Sequence, residues 1–363
     1  MVQPLAGLGQ PGPSLKRPLR ETGESLASYV SRLIAYGLGL TGFAVLAGGL
    51  VIVPVFLPIA APHEAEAVLF HVPAGSTAAD IGRLLEEAGL IRDARHFQWL
   101  NKLLRYDQRL QAGDYLLSAD MSLLDIAERL ASGRVHTVRV VIPEGLHLRQ
   151  IADILAQAGL VDRQRFLELA SDETLVYGNN PPIPKPVKSL EGYLFPDTYL
   201  FSPSMSEEQI IRRMVSRFVE VALPVIAARP APLNLTPHEV VTLASIVEAE
   251  ALYARELPII ASVFLNRLRI NMPLQADPTI NYLFDEHRSR ILYADLEIDS
   301  PYNTYRYAGL PPGPIGSPGL GAIRAVLEPA TTDYYFFVAR GDGTHVFSRT
   351  FNEHVRARRQ LGR

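Results

Sequence analysis

Glu248 is the residue of this sequence best placed to act as a catalytic acid. On a helix, Ala244 four positions back and Leu252 four positions on would be its neighbours, so we expect its carboxyl group among apolar side chains. Such burial favours the neutral acid, which can donate a proton to a leaving oxygen such as that of a glycosidic bond. The alternative is a glutamate at the edge of the core, held in an ion pair by Arg255 or Arg267.

The helix that carries Glu248 has a well-marked start. Residues 236–252 read TPHEVVTLASIVEAEAL. Thr236 and Glu239 have the spacing of a capping box, and Pro237 suits the first helical position because the N–H that it lacks is not needed there. The sequence therefore predicts a helix that begins at Pro237 and brings the glutamate to a defined position.

Further carboxylates follow a proline-rich stretch, residues 179–189, which is too rich in proline to be helical. Glu191 and Asp197 lie in the next segment, LEGYLFPDTYLF, and are additional acidic candidates. Gly192 and Pro196 favour a turn here, in which both carboxylates would cap backbone amides.

Two loops after the next apolar helix, which we expect to end at Arg269, carry groups suited to a sugar. The first loop presents polar side chains beside two prolines: Gln275, Asp277, Thr279 and Asn281. The second alternates aromatic rings with amide and hydroxyl groups: Tyr302, Asn303, Thr304, Tyr305 and Tyr307. Tyrosine rings offer apolar area with a polar handle, which suits the mixed faces of a pyranose, although core packing would explain them equally.

Residues 33–61 contain no Asp, Glu, Lys, Arg or His. About 20 apolar residues span a bilayer, and a signal-peptide core is shorter and nearer the N-terminus, so we predict an uncleaved transmembrane helix. Lysine and arginine residues precede this run, whereas the first lysine or arginine after it is Arg83. This bias places the N-terminal tail, residues 1–32, in the cytoplasm and the remainder outside the cytoplasmic membrane, in the periplasm.

Composition excludes several kinds of chemistry. The chain has no cysteine, so thiol nucleophiles, disulfides and cysteine-ligated metals are absent, and its net charge of −3 argues against nucleic acid as a partner. It contains no H-E-x-x-H motif, and it has no lysine after Lys188 to form a Schiff base with pyridoxal phosphate. No cofactor and no metal are therefore expected.

Residues 73–91, PAGSTAADIGRLLEEAGLI, and residues 143–161, PEGLHLRQIADILAQAGLV, repeat each other. We call them repeat 1 and repeat 2. Each predicts a Pro-x-Gly turn after a strand, then an amphipathic helix that a glycine ends. A further strand, turn and helix follow repeat 1, so residues 67–138 predict an α+β module. This module loosely resembles a LysM domain, a small glycan-binding fold, and a purely structural pedestal is the alternative.

The motifs ASIVEAEA, SVFLNRL, MPLQADPT, SPYNTY, GLPPGPIGSPG and YYFFVA occur in this order. Together they resemble the YceG-like family of endolytic murein transglycosylases, from about residue 67 to residue 360. The resemblance implies cleavage of the β-1,4 bond between N-acetylmuramic acid and N-acetylglucosamine within nascent peptidoglycan, leaving a 1,6-anhydro end. It also implies that peptidoglycan strands are the substrate and that peptidoglycan synthases are partners.

The resemblance assigns the catalytic role to Glu248. Many relatives have a lysine where this chain has Ala249, so the surroundings of the acid are less basic here. The resemblance also places matched loop residues in the substrate cleft, and Glu191 is a further candidate for binding substrate. The predicted substrate-binding residues are Gln275, Asp277, Tyr302, Asn303 and Glu191.

We therefore predict an α+β protein with a mainly helical catalytic domain. Its parts are a cytoplasmic tail (residues 1–32), a transmembrane helix (33–61), a LysM-like module (67–138) and a catalytic domain with small β elements (139–363). Two alternative functions remain open. One is a two-carboxylate muramidase that pairs Glu248 with Glu191, Asp197 or Asp277, and the other is a non-catalytic subunit that binds peptidoglycan.

Overall fold

The computed structural model describes residues 31, 38, 57–61, 65–228, 230–286 and 288–362. The predicted cytoplasmic tail and almost all of the predicted transmembrane helix lie outside these residues. Among the residues described, no helix is long and apolar enough to cross a membrane. The chain divides into two compact units, and the boundaries proposed for a LysM-like module and a catalytic domain stay predictions. One unit contains Thr77–Gln108 and Ser118–Glu128, and the other Ala67–Ser76, Arg109–Leu117 and Arg129–Arg363.

The described residues form short helices and small sheets. The α-helices are α1 (Ala78–Glu87), α2 (Ala94–Leu104), α3 (Leu123–Ser132), α4 (Leu148–Gln157), α5 (Arg163–Ser171), α6 (Thr174–Tyr177), α7 (Glu207–Val221), α8 (Leu223–Ala227), α9 (Pro237–Glu250), α10 (Leu257–Arg269), α11 (Asp277–Asn281), α12 (Leu320–Leu327) and α13 (Phe351–Gln360). Single turns of 3₁₀-helix lie at Pro232–Asn234, Ala254–Glu256 and Tyr293–Glu297. The strands are β1 (Val68–Val72), β2 (Gly113–Leu117), β3 (Val138–Val141), β4 (Thr198–Phe201), β5 (Phe336–Ala339) and β6 (His345–Ser348).

Within the part of the chain that the structure describes, the strands form three antiparallel pairs. β1 pairs with β2, with Phe70 opposite Tyr115, and β3 pairs with β4, with Val140 opposite Tyr199. β5 and β6 form the hairpin that the sequence predicted near the C-terminus. These pairs and the helices between them confirm the predicted α+β class.

Repeat 1 and repeat 2 have the same backbone conformation. Gly75 and Gly145 both have φ of 81°, and the glycines that end α1 and α4, Gly89 and Gly159, have φ of 68° and 70°. Positive φ in this range is left-handed backbone, which glycine adopts without steric cost. Both helices also begin with a capping box. The predicted sequence repeat is therefore confirmed as a repeat of local structure.

Helix α9 lies in the core, since nine of its 14 residues are buried and six of these nine are apolar. It packs against α10 and α12. Its start is as predicted, since the Thr236 hydroxyl accepts from the backbone N–H of Glu239. Its end is not as predicted, because the helix stops at Glu250 and the backbone becomes extended at Ala251. Leu252 is consequently 71% exposed, and its predicted place beside Glu248 was wrong.

Candidate functional site

Glu248 lies half-buried on the last turn of α9. Its Oε2 atom accepts a hydrogen bond from the backbone N–H of Gly319 at 3.1 Å. Burial raises the pKa of this carboxyl group above its usual range, and the negative charge of Glu144 raises it further, while the Gly319 N–H acts in the opposite direction. The arrangement favours a protonated carboxyl group, as a general acid requires.

Two loop segments meet beside this carboxyl group. The turn of repeat 2 and the segment before α12 are joined by two backbone hydrogen bonds, from Gly145 N–H to the Ser317 carbonyl and from Ser317 N–H to the Leu146 carbonyl, both at 2.8 Å. The second segment is also tied to α9, because Ile315 N–H donates to the Ser245 hydroxyl at 3.0 Å. The GPIGSPG motif therefore holds the turn of repeat 2 against α9.

Close approach of these segments depends on glycine. A Cβ atom at Gly316 would lie 2.6 Å from the carbonyl oxygen of Gly145, and one at Gly319 would overlap the carboxylate of Glu144. The Cγ of Glu248 lies 3.5 Å from where a Cβ at Gly145 would be. The motif thus has a steric reason at Gly316, where the backbone of the repeat 2 turn leaves no room for a side chain, whereas at Gly319 the side chain of Glu144 would have to move aside.

The two arginines considered as partners for Glu248 have other contacts. Arg267 donates through Nε to the Tyr335 carbonyl and through Nη1 to the Leu274 carbonyl, each at 2.6 Å. The guanidinium group of Arg255 lies over the ring of Tyr253, 4.8 Å from its centroid. The geometry therefore favours the acid over the ion-paired alternative.

A cleft of about 180 Å³ is lined by two neighbours of Glu248, Gly145 and Ala249. Ala249 follows Glu248 in sequence, and a Cβ atom at Gly145 would lie 3.5 Å from the Cγ of Glu248. The wall also includes four polar side chains: His147, Gln150, Asn281 and Tyr282. The cleft is thus an open space near a carboxyl group whose pKa is raised by burial, with polar side chains in its wall.

Glu191 comes from another segment, and its carboxyl group contacts the first residue of α4. Its carboxyl group accepts from the Leu148 N–H at 3.1 and 3.2 Å and from the Tyr282 hydroxyl at 3.2 Å. Burial raises its pKa to about 7, against the lowering effect of these donors. Asp197 accepts from the Thr198 N–H at 2.7 Å, so the prediction of a turn in which both carboxylates cap amides is confirmed. Asp197 also pairs with Arg217 at 2.7 Å.

The loop residues predicted to bind substrate occupy different environments. Tyr302 is half-buried, and its ring centroid is 5.0 Å from that of Tyr282. Asp277 is exposed at the start of α11 and accepts from the Tyr305 hydroxyl. These contacts connect the second loop both to the cleft wall and to α11, and substrate contact by Tyr302 or Asp277 remains a prediction.

Gln275 and Asn303 stabilise the two loops by hydrogen bonds to backbone carbonyl groups. Gln275 has a left-handed φ of 48°, and its N–H donates to the Thr304 carbonyl at 3.0 Å. Asn303 is fully buried, and its amide donates to the carbonyls of Leu296 and Ile298 at 2.9 and 2.8 Å. Asn303 therefore holds the loop together, while substrate contact by either residue remains a prediction.

Sequence reasoning missed three side chains that the structure places around the acid. The negative charge of Glu144 raises the pKa of Glu248, and the side chains of His147 and Tyr282 line the cleft. A signal was available for Glu144 and His147, because repeat 1 has Ala74 and Thr77 at the matching positions. Tyr282 gave none, since one tyrosine in a loop is no different from the many others.

Comparison with known proteins covers most of the chain. Residues 70–360 match the model of the YceG-like family. The endolytic murein transglycosylase of Bacillus subtilis is 36% identical over 306 residues, which are 80% of this chain and 84% of that protein. The enzyme of the same name from Streptococcus pneumoniae serotype 2 is 34% identical over 310 residues, which are 78% of this chain and 56% of that longer protein.

One solved structure is also similar. It is the crystal structure of a putative YceG-like protein from Listeria monocytogenes, with 37% sequence identity and a TM-score of 0.53. The match covers 80% of this chain and 98% of the Listeria chain. Sequence and fold therefore point to the same group of proteins.

Proposed function

Because this chain belongs to the YceG-like family, we propose that it is an endolytic murein transglycosylase. In this proposal it cleaves the β-1,4 bond between N-acetylmuramic acid and N-acetylglucosamine inside a peptidoglycan strand, leaves a 1,6-anhydro end and so terminates strand elongation. The observation that carries the proposal is the half-buried Glu248 beside an open cleft, with its pKa raised by burial.

The first chemical step is proton donation by Glu248. Its Oε2 accepts the Gly319 N–H, so the acidic proton belongs on Oε1. Transfer of this proton to the glycosidic oxygen lets the bond to C1 of the muramic acid break as an oxocarbenium-like centre develops. The Gly319 N–H then helps to stabilise the carboxylate that the transfer leaves behind.

The second step returns the proton to the same residue. The Glu248 carboxylate removes the proton of the C6 hydroxyl of the muramic acid while that oxygen closes onto C1. The substrate supplies the nucleophile, so no water is consumed and one carboxylate suffices. A two-carboxylate hydrolase needs a second group free to act as base or nucleophile. Glu191 is instead engaged by an amide and a phenol, and Asp197 by Arg217.

The test compares the products of the full-length chain and of Glu248→Gln on uncrosslinked glycan strands by mass spectrometry. We expect anhydro-muramic ends, one water lighter than hydrolytic ends, and a loss of at least ~10²-fold in turnover with the variant, about 2.7 kcal/mol of barrier. Glu239→Gln is the matched control, because it lies on the same helix and glutamine still completes the capping box. Reducing ends would indicate a hydrolase, and bound but uncleaved strands a non-catalytic subunit.

We further propose that residues 33–61 anchor the chain in the cytoplasmic membrane, with the catalytic domain in the periplasm and peptidoglycan synthases as partners. The support is the uncharged run and the basic residues before it. Because the chain has no cysteine, one introduced at Ser14 or at Ala74 is its only thiol. A membrane-impermeant maleimide should label only the second in intact cells, and the reverse would invert the topology. Failure to crosslink any synthase in cells would contradict that partnership.

A further inference from the structure

We propose that the cleft beside Glu248 is a subsite for the acetamido group of an amino sugar, bound by N–H donors of His147 and Gln150. The inference rests on the proposed function and adds to it the chemical group that is recognised. Neither residue is among the substrate-binding residues predicted from the sequence. Both are side chains of repeat 2 at the start of α4.

A capping box fixes the orientation of both side chains. His147 Nδ1 accepts from the Gln150 N–H at 3.4 Å, and Gln150 Oε1 accepts from the His147 N–H at 3.2 Å. Each side chain therefore uses its acceptor atom inside the start of the helix. What remains on each is a donor: Nε2–H on the imidazole and NH₂ on the amide.

The imidazole of His147 is uncharged near neutral pH. Burial lowers the pKa of His147 to about 4, and the charge of Arg149 acts in the same direction. A neutral imidazole that accepts at Nδ1 carries its proton at Nε2. The cleft thus offers two uncharged donors, which suit an uncharged acceptor oxygen rather than an anion.

The other polar groups of the cleft wall are already engaged. The Asn281 amide bonds the backbone of Arg288 through both its oxygen and its nitrogen, at 2.9 and 3.2 Å. The Tyr282 hydroxyl donates to Glu191. Asn281 keeps one N–H of its amide, and the donors of His147 and Gln150 have no acceptor among the described residues, so all of them can meet a ligand in this wall. A carbonyl oxygen is the strongest uncharged acceptor that an amino sugar carries.

Repeat 1 shows that this choice of residues is not required by the fold. Its capping box has Thr77 and Asp80, which form the same bonds at an exposed helix start with hydroxyl and carboxylate oxygens. Threonine is a preferred N-cap residue, whereas histidine is not. Repeat 2 therefore has a weaker cap and, in exchange, an imidazole donor on a residue that lines the cleft.

The test is His147→Thr in the full-length chain, which recreates the cap of repeat 1. We expect KM for uncrosslinked glycan strands to rise roughly tenfold with kcat within about twofold, because a lost neutral hydrogen bond weakens ground state and transition state alike. The melting temperature should stay equal or rise, since threonine is the better cap. A purely structural role predicts the reverse pattern, with KM unchanged.

Two further variants make the result specific. Thr77→His places the same exchange in repeat 1 and should leave KM unchanged. Gln150→Glu keeps the capping box but removes the amide donor, so KM should rise as it does for His147→Thr. If His147→Thr does not fold, the Gln150→Glu result decides, and an unchanged KM there overturns the inference.

Partly de-N-acetylated strands identify the group that is bound. Loss of the acetyl group should raise KM of the wild type roughly tenfold and KM of His147→Thr by clearly less, because that variant has already lost one of the two bonds. Equal losses for both proteins would overturn the assignment to the acetamide. Wild-type protein that cleaves no strand at all would instead overturn the proposed function.

Discussion

Repeat 1 and repeat 2 have the same backbone conformation, but the turn and helix start of repeat 1 are exposed, whereas those of repeat 2 pack against other segments. Around Gly75 nothing described lies within 4 Å of where a Cβ atom would be, whereas at Gly145 that position is in contact with Glu248. The helix of repeat 1 starts at an exposed Thr77, and that of repeat 2 starts at His147 in the wall of the cleft.

The turn and the helix start are therefore local structure, and they become part of the candidate site only where other segments pack against them. In repeat 2 the partners are the carboxyl group of Glu191, the backbone of Ser317 and the end of α9. Two of the positions that differ between the repeats, Ala74 against Glu144 and Thr77 against His147, lie where those partners meet repeat 2.

The largest effect should come from the buried Glu191, which has no counterpart in repeat 1. A carboxyl group whose pKa rises from 4.5 unfolded to about 7 folded binds its proton more tightly in the native state. Its stabilising contribution is complete below about pH 4.5 and is lost as pH rises through about 7. Over this range the stability of wild type relative to Glu191→Gln should fall, by up to roughly 3 kcal/mol.

Chemical denaturation of both proteins at several pH values measures this contribution. Glutamine keeps an oxygen that can accept the Leu148 N–H, so the variant should fold. Parallel curves for wild type and variant across pH 5 to 8 would show that Glu191 is ionised in the native protein.

An intermediate effect should come from replacing the two turn glycines, Gly75 and Gly145, with alanine. These variants separate the cost of backbone strain to stability from an effect on kcat. Alanine at a left-handed φ costs about 1 to 2 kcal/mol, so Gly75→Ala and Gly145→Ala should destabilise the protein by similar amounts. Only Gly145→Ala should also reduce kcat, by about tenfold, because its new Cβ would lie 3.5 Å from the Cγ of Glu248 and relief of the strain would shift backbone next to the acid. Thermal melts and steady-state kinetics test both parts, and equal loss of kcat in the two variants would remove the functional distinction between the repeats.

The smallest effect should come from Glu144, which stands where repeat 1 has Ala74. Its negative charge raises the pKa of Glu248 and keeps the acid protonated to higher pH. Glu144→Gln should therefore move the alkaline limb of the kcat profile to lower pH, by a fraction of a unit, because Glu144 is exposed and solvent screens its charge. The shift should shrink at high salt.

The exposed Glu168, which pairs with Arg165, is the matched control for this charge. Glu168→Gln should leave the profile where it is. A profile that Glu144→Gln does not move at low salt would show that the two carboxyl groups do not interact.

Local features of the fold were predictable because their signals lie within a few residues. The capping box that starts α9, the C-terminal hairpin and the turn-helix form of both repeats follow from side chains that act on neighbouring backbone. The position of Leu252 was not predictable in this way, because where a helix ends is decided partly by what the next segment packs against. The partners of Glu191 and Glu144 lie tens of residues or more away in sequence.

The sequence by itself determined the start of α9, the position of Glu248 on it and, through the order of the motifs, the family. Those properties depend on residue type and short spacing. Tertiary structure alone decided that the turn of repeat 2, rather than that of repeat 1, lies beside the acid, and that a peptide N–H from Gly319 contacts its carboxyl group. Burial and charge set a pKa in three dimensions, so the protonation state of a catalytic acid is a property of the packed protein.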